Sequence, residues 1–252
     1  MLGLGASLAS GVAISSGPSY SNAYSAFFDG AGDYIDTNYQ TDSTFQGSFT
    51  IACWMRPSDG QGTGVQTIFG AASSTNRVWV YLDDLGKLGI YHVSNNDLAV
   101  SGGTEVVFDN GAASDWVHIA VVVIKAGSGN TTYKFYKNKV ALTTSTFAAV
   151  SDTNHAAFTI ANDSGTLGSP YEGFIDEFGL WTNRLSAAAI DAIYNSGVSF
   201  DLNEPSGSYD ANDVDDLELY YRFENNATDE GSAGSDGQVA GNTFFTTFLT
   251  PP

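Results

Sequence analysis

The chain has 252 residues, enough for a full core in one large domain, and a formal charge of −19 from 28 acids against 9 bases. That field repels nucleic-acid backbones and anionic lipid heads, no stretch reaches the roughly 20 apolar residues that insert across a membrane, and a single cysteine excludes an internal disulfide. The 28 glycines, 16 phenylalanines and 13 tyrosines beside two methionines favour short strands and tight turns over packed helices.

Residues 1–19 form a Gly/Ser/Ala-rich arm carrying Leu2, Leu4, Leu8, Val12 and Ile14. A secretory leader would begin with positive charge, yet the first basic residue is Arg56, so none is expected. The arm has little to bury alone, and a neighbouring subunit is the simplest thing to hold it. Residues 20–252 read as one domain.

From Phe49 to Arg56 the residues Phe49, Ile51, Cys53 and Met55 alternate with Thr50, Ala52, Trp54 and Arg56, and Pro57 closes the run. Period two predicts a strand with one strongly apolar face, and it places Cys53 in the core as an inert thiol. Arg77 to Leu82 and Leu88 to Val93 repeat the pattern around Asp83-Asp84-Leu85-Gly86-Lys87, a turn composition, and predict a hairpin. Trp116 to Lys125 is almost continuously apolar, which predicts a central strand covered on both faces. Thr131 to Tyr136 alternates again before Lys137-Asn138-Lys139, where asparagine tolerates the left-handed backbone of a tight hairpin.

One short helix is expected near 186–195: Ser186 is a good N-cap, Leu185 can staple onto Ile190, and Ile190, Ile193 and Tyr194 make an apolar stripe ending at Asn195-Ser196-Gly197. From Asp201 to Asp236 the chain is acid-rich, with Arg222 its one basic residue. Within it Leu217 to Phe223 reads as a strand. The tail 241–252 carries Phe244, Phe245, Phe248 and Leu249, too apolar to hang in water, so it either closes the domain or docks on a neighbour.

Three segments together resemble the laminin-G-like branch of the concanavalin-A-like jelly rolls. Phe27-Phe28-Asp29-Gly30-Ala31-Gly32-Asp33-Tyr34-Ile35 with Phe49 to Trp54 is similar to the family's opening strands. Trp116 to Ala120 with Tyr133 to Asn138 is similar to its central pair, and Gly173 to Trp181, Arg184-Leu185-Ser186 and the helix to Gly197 to its closing strand and helix. Residues 217–240 resemble an edge strand and loop that members usually carry ahead of the opening pair. Termini of a jelly roll lie close together, so such a strand can move from one end of the chain to the other and keep its place, here beside Phe174–Trp181. The resemblance implies an all-β, two-sheet antiparallel sandwich, often a structural calcium ion, and roles in glycan or protein adhesion.

Regular alternation places Phe174, Asp176, Phe178 and Leu180 on one face, so Asp176 points among apolar neighbours and needs a partner. A calcium ion held by Asp176, Asp29 and backbone carbonyls is the candidate; backbone hydrogen bonds at a strand edge are the alternative. Asp210 to Asp216 lacks the third ligand and the glycine of a calcium loop, since Val214 stands at the ligand position, and reads as a solvated acidic loop. The glucanases among related jelly rolls use two carboxylates at alternate positions of one strand. Glu172, Asp176 and Glu177 do not supply them: Phe174 separates the first two, and Glu177 faces away from Asp176. The scattered His92, His118 and His155 offer no base, so a noncatalytic protein is expected. Trp54, Trp79, Trp116 and Trp181 fall in predicted strands and read mostly as core, leaving Tyr171 and Tyr209 as loop candidates for stacking on sugar.

The leading expectation is a structural or adhesive protein on a virion surface, a phage capsid decoration or fibre component, with Leu2, Leu4, Leu8, Val12, Ile14, Phe244, Phe245, Phe248 and Leu249 contacting other virion proteins or further copies of the chain. The alternative is a calcium-dependent glycan-binding module of a cell-surface or extracellular protein.

Overall fold

The alternating segments close into two antiparallel sheets. In the computed structural model, which describes residues 20–40, 43–72, 77–94, 97–127, 129–147, 157–163 and 168–252, the strands run in chain order as follows. The first half holds β1 (Ser25–Asp29), β2 (Tyr34–Asp36), β3 (Phe49–Pro57), β4 (Gln66–Ala72), β5 (Arg77–Leu82), β6 (Leu88–Ser94), β7 (Asp97–Gly102) and β8 (Val117–Lys125). The second half holds β9 (Thr131–Lys137), β10 (Val140–Ala141), β11 (Ser145–Phe147), β12 (Thr159–Ile160), β13 (Glu172–Trp181), β14 (Leu217–Tyr221), β15 (Gln238–Ala240) and β16 (Phe244–Thr246). Three short α-helices, α1 (Ser43–Gln46), α2 (Ala187–Tyr194) and α3 (Ala211–Asp215), and a 3-10 turn at Asn195–Gly197 complete the described elements.

One sheet has the order β10-β9-β8-β3-β13-β1-β16, with β11 also on β9 and β14 on β13; the other has the order β15-β2-β12-β4-β5-β6-β7. This is the all-β jelly-roll sandwich that the sequence predicts, and the predicted hairpins are present: β5 pairs with β6 in register Trp79 to Tyr91, and β9 turns into β10 through Asn138 and Lys139 at positive φ.

Alternation decides which side chains meet between the layers. Phe49, Ile51, Cys53, Met55, Ile119, Val121 and Phe135 of the first sheet pack against Ile35, Phe69, Val80, Ile90 and Ile160 of the second in one buried cluster. A second cluster lies on the outer side of the first sheet, where Ala52, Ala120, Val122, Trp181 and Tyr220 are covered by Leu185, Ala189, Ile190 and Ile193 of the α2 region and by Leu202 and Tyr209. Strand β8 is therefore buried on both faces, which explains its unbroken apolar run.

Helix α2 starts where expected. Ser186 Oγ accepts from the Ala189 amide at 3.0 Å, and Asn195 ends the helix in the left-handed region at φ 46°. The acidic segment departs from a plain loop. Asp210 caps α3, accepting from the Asn212 and Asp213 amides while the Asp213 carboxylate accepts from the Asp210 amide, a capping box that turns clustered acids into a helix start. Strand β14 lies antiparallel on β13, Phe178 opposite Tyr221 and Leu180 opposite Leu219.

Strand β13 does not alternate throughout. Between Asp176 and Gly179 it carries one more residue than β3, with Glu177 at φ 48°. The bulge resets the faces. Phe174 and Asp176 lie on the outer side, whereas Phe178 and Leu180 enter the core between the sheets. The expectation of one shared face for Phe174, Asp176, Phe178 and Leu180 is corrected accordingly.

Candidate functional site

On the seven-stranded sheet, Val78, Val80 and Leu82 of β5 and Leu88 and Ile90 of β6 turn inward and are fully buried. The intervening Trp79, Tyr81 and Tyr91 stand on the opposite face and stay partly exposed. Trp79 therefore departs from the core reading, while Trp54, Trp116 and Trp181 keep it. Trp79 sits between Gly70 of β4 and Tyr91 of β6, and Tyr81 between Thr67 and Gly89. The glycines shape the platform: a Cβ on Gly70 would lie 2.6 Å from Trp79 Cδ1, and one on Gly89 2.5 Å from Tyr81 Cζ. Both rings thus lie across a neighbouring strand over a residue with no side chain. The rings of Trp79 and Tyr91 are 5.7 Å apart and inclined at 34°. Burial, then Asp83 and Tyr91, raise the Tyr81 hydroxyl, which stays protonated and able to donate at neutral pH. What results is an aromatic surface with hydroxyls at its edge, suited to stacking against an apolar ring face.

The other polar constellation lies at the β13 bulge. Asp176 and Glu177 are both buried, and the extra residue turns both carboxyls to the outer side of the first sheet, a correction to the expectation that they face apart. Asp176 Oδ1 accepts from the Glu177 amide at 3.0 Å. Glu177 accepts from Tyr20 at 2.6 Å and from the Tyr220 hydroxyl, with Arg222 Nε 3.9 Å away. Burial pushes both carboxyls up, Glu177 to about 8, and the neighbouring Glu177 charge raises the Asp176 value further.

Two oxygens here lack a partner although both are buried, Asp176 Oδ2 and Asn22 Oδ1. Both are hard oxygen donors of the kind calcium takes, but they fall well short of the roughly six to eight ligands that ion needs, and the Asn22 side chain also hydrogen-bonds Asp176, which lowers the Asp176 pKa. Asp29 does not belong to it. It stands opposite Glu172 on the β1–β13 ladder, four positions before Asp176, about 13 Å along the strands, so one ion cannot touch both. Asp29 instead accepts from the Ala31 amide at 2.8 Å and from Asn242 Nδ2 at 3.1 Å, contacts that lower its pKa and fasten a corner of the sandwich. Among the described residues, no group of three His, Cys, Asp or Glu side chains converges as a metal site.

The remaining expected residues fall as follows. Glu172 is exposed and lines, with Asp59, Gln66, Gly62 and Gly168, a cleft of about 410 Å³ at the sandwich rim, where Asp59 Oδ1 is committed to the Gln61 and Gly111 amides. Tyr171 and Tyr209 are fully buried and cannot reach a sugar, because strand and loop packing closes over both. His92 Nδ1 meets the Tyr133 hydroxyl at 2.9 Å within the core, and burial drives His118 down to about 3. Cys53 is buried and its thiol is pushed up. Of the tail, Phe245 packs on the core beside Phe223, Leu249 contributes its carbonyl to Ser25, and Phe244 and Phe248 remain exposed. Leu2, Leu4, Leu8, Val12, Ile14 and His155 lie outside the described residues.

Residues 29–191 match the laminin-G-type family model of the concanavalin A-like lectin/glucanases superfamily. The chain belongs to this superfamily. No curated protein matches it. Among solved structures, this superfamily member is similar to a Bacteroides ovatus ATCC 8483 protein described as carbohydrate binding, at TM-score 0.62 and 16% identity over 91% of this chain. It spans 61% of that protein's length. The Ruminococcus gnavus IT-sialidase CBM40 bound to alpha2,3 sialyllactose aligns at TM-score 0.56 and 14% identity, over 68% of this chain and 96% of its own. The heptameric SAP-like pentraxin of Limulus polyphemus aligns at 0.54 and 12%, over 89% and 94%. At these identities the likeness is one of fold.

Proposed function

We propose that the chain is a noncatalytic, lectin-like carbohydrate-binding domain that presents its ligand site on the aromatic face of the seven-stranded sheet. The observation that carries this is the placement of Trp79 and Tyr81 over Gly70 and Gly89, on the face of the sheet turned away from the core. Superfamily membership and the carbohydrate-binding neighbours support it, and fold alone would not. A noncatalytic reading also suits the acids: Asp176 and Glu177 sit buried among tyrosines instead of flanking an open cleft.

A calcium ion at Asp176 Oδ2 and Asn22 Oδ1 would be structural. It would satisfy both oxygens and tie the start of the domain, through Asn22, to β13. A glycan array probed with and without calcium, followed by Trp79→Ala, tests the two roles separately. Binding should fall at least tenfold in Trp79→Ala, while EDTA should lower the melting temperature. Loss of neither on these treatments would remove the respective assignment.

Display on a virion or cell surface is a second reading, favoured by the tail: Phe248 is 82% and Phe244 50% exposed, large apolar groups that a partner or second copy would cover. Sedimentation of the wild type and of the Phe244→Ser, Phe248→Ser double variant checks it, since equal monomeric profiles would argue against self-association.

A further inference from the structure

We propose that the cleft between the C-terminal tail and the end of β3 is a separate ligand site, which holds a small carboxylate-bearing six-membered ring with its carboxylate on Arg56.

The cleft lies on the outer side of the nine-stranded sheet, on the opposite layer from the Trp79 platform, and its volume of about 380 Å³ falls in the range of small-molecule sites. The tail supplies part of its lining through Leu249 and Pro252. Ser25 Oγ donates to the Leu249 carbonyl, and the Ser199 amide and hydroxyl donate to the Pro252 carbonyl at 2.6 and 2.9 Å, so the tail is fastened both to β1 and to the segment after α2. The rest of the apolar lining is aromatic: Trp54, Trp116 and Tyr194, the last stacked on Trp54 at 5.8 Å.

Arg56 sets this cleft apart. The chain carries 28 acids for 9 bases, yet among the described residues no carboxylate pairs with Arg56, whereas Lys139 and Arg222 both have acidic partners. The side chain is half-buried on β3, opposite Phe174, and its Nε donates to the Ala113 carbonyl at 2.9 Å. That bond orients the guanidinium and leaves its two terminal nitrogens without an acceptor among the described residues. A planar fork of N–H donors held in this way matches the two oxygens of a carboxylate.

Trp116 adds a donor in the same condition, since it is only 9% exposed and its Nε1 has no acceptor among the described residues. Unsatisfied donors in one lining select a ligand that accepts hydrogen bonds. Asp115, exposed in the same lining, accepts from the Ser114 hydroxyl at 3.1 Å, and its charge disfavours a multiply charged anion, so a single carboxylate suits the cleft better than phosphate. The aromatic and prolyl lining takes the apolar face of a ring, which a bare carboxylate such as acetate lacks. An aromatic acid and an acidic sugar share this chemistry.

Titration of the full chain with benzoate, glucuronate, acetate, benzyl alcohol and glucose, read by calorimetry and by the indole N–H signals of the four tryptophans, tests the site. Benzoate or glucuronate should bind at least tenfold more tightly than acetate and than its own neutral counterpart, and should shift the Trp116 signal, identified by its loss in Trp116→Phe. Saturation by benzoate alone marks an aromatic acid as the ligand and saturation by glucuronate alone an acidic sugar, and either supports the site. Arg56→Gln should weaken binding tenfold or more with an unchanged melting profile, Arg56→Lys, which keeps the charge and loses the fork, by several fold, and Trp79→Ala not at all. Equal binding of acetate and the ring acids, equal binding of acids and their neutral counterparts, affinity unchanged in Arg56→Lys and Arg56→Gln, loss in Trp79→Ala, or no saturable change with any acid would each overturn the proposal, and none of these bears on whether the platform of the other sheet binds sugar.

Discussion

Gly89 shows how a residue without a side chain can shape a binding surface. A methyl group there would meet Tyr81 Cζ and the phenolic oxygen at 2.5 and 2.7 Å, so Gly89→Ala must lift the ring. That ring end is free to move, so the melting temperature of Gly89→Ala should stay within a few degrees of wild type while calorimetry reads a several-fold loss of glycan affinity. His118 yields a prediction of the opposite kind. It is buried under Trp54 and Tyr194, and burial lowers its pKa to about 3 from 6.5. A histidine depressed in the folded state binds its proton more readily when unfolded, so its contribution is complete above about 6.5 and is lost as pH falls toward 3. Between pH 7 and 5, urea unfolding of the wild type should lose up to about 2 kcal/mol that His118→Gln retains.

At the scale of elements, alternation in the sequence made most strands and the β5–β6 hairpin legible, because one buried face per strand forces period two. The cap at Ser186 was equally readable, since a hydroxyl three residues before a free amide is a local feature. The β13 bulge was not. Gly179 stands at its edge, but the residue at positive φ is Glu177, whose carboxyl is held outward by Tyr20 and Tyr220. The missed bulge misplaced the faces of Phe178, Leu180 and Glu177, whereas Asp29 is separated from Asp176 by the regular ladder that precedes it. The platform was hidden for a related reason: Trp79 and Tyr81 look like core by composition, and only the cross-strand register reveals glycines beneath them. Strand β14 can be tested directly. Leu219 is fully buried between β13 and the core, so Leu219→Ala should cost about 2–5 kcal/mol in chemical denaturation, within a single transition if residues 217–221 belong to the same cooperative body.

For the molecule as a whole, the asymmetry between the sheets organises function. The central strands β3, β8 and β13 of the nine-stranded sheet are buried on both faces, by the other sheet and by the α2 layer, and β13 carries the buried carboxyl pair. The seven-stranded sheet lends its outer face to Trp79, Tyr81 and Tyr91. A rigid, doubly covered layer behind an exposed one suits a surface that binds without changing shape.

Residues 238–246 supply the outermost strand of both sheets, β15 beside β2 and β16 beside β1, joined by a turn in which Asn242 binds Asp29 and Asp33. A single short ribbon therefore seals two hydrogen-bonding rims at once. Removing it by ending the chain after Ser235 would bare the backbone of β1 and β2 together and offer each a docking line for another molecule. Light scattering should then register growing fibrous or amorphous aggregates where the intact chain stays dispersed, which would make the C-terminal segment from residue 236 on the guard against misassembly of the entire sandwich.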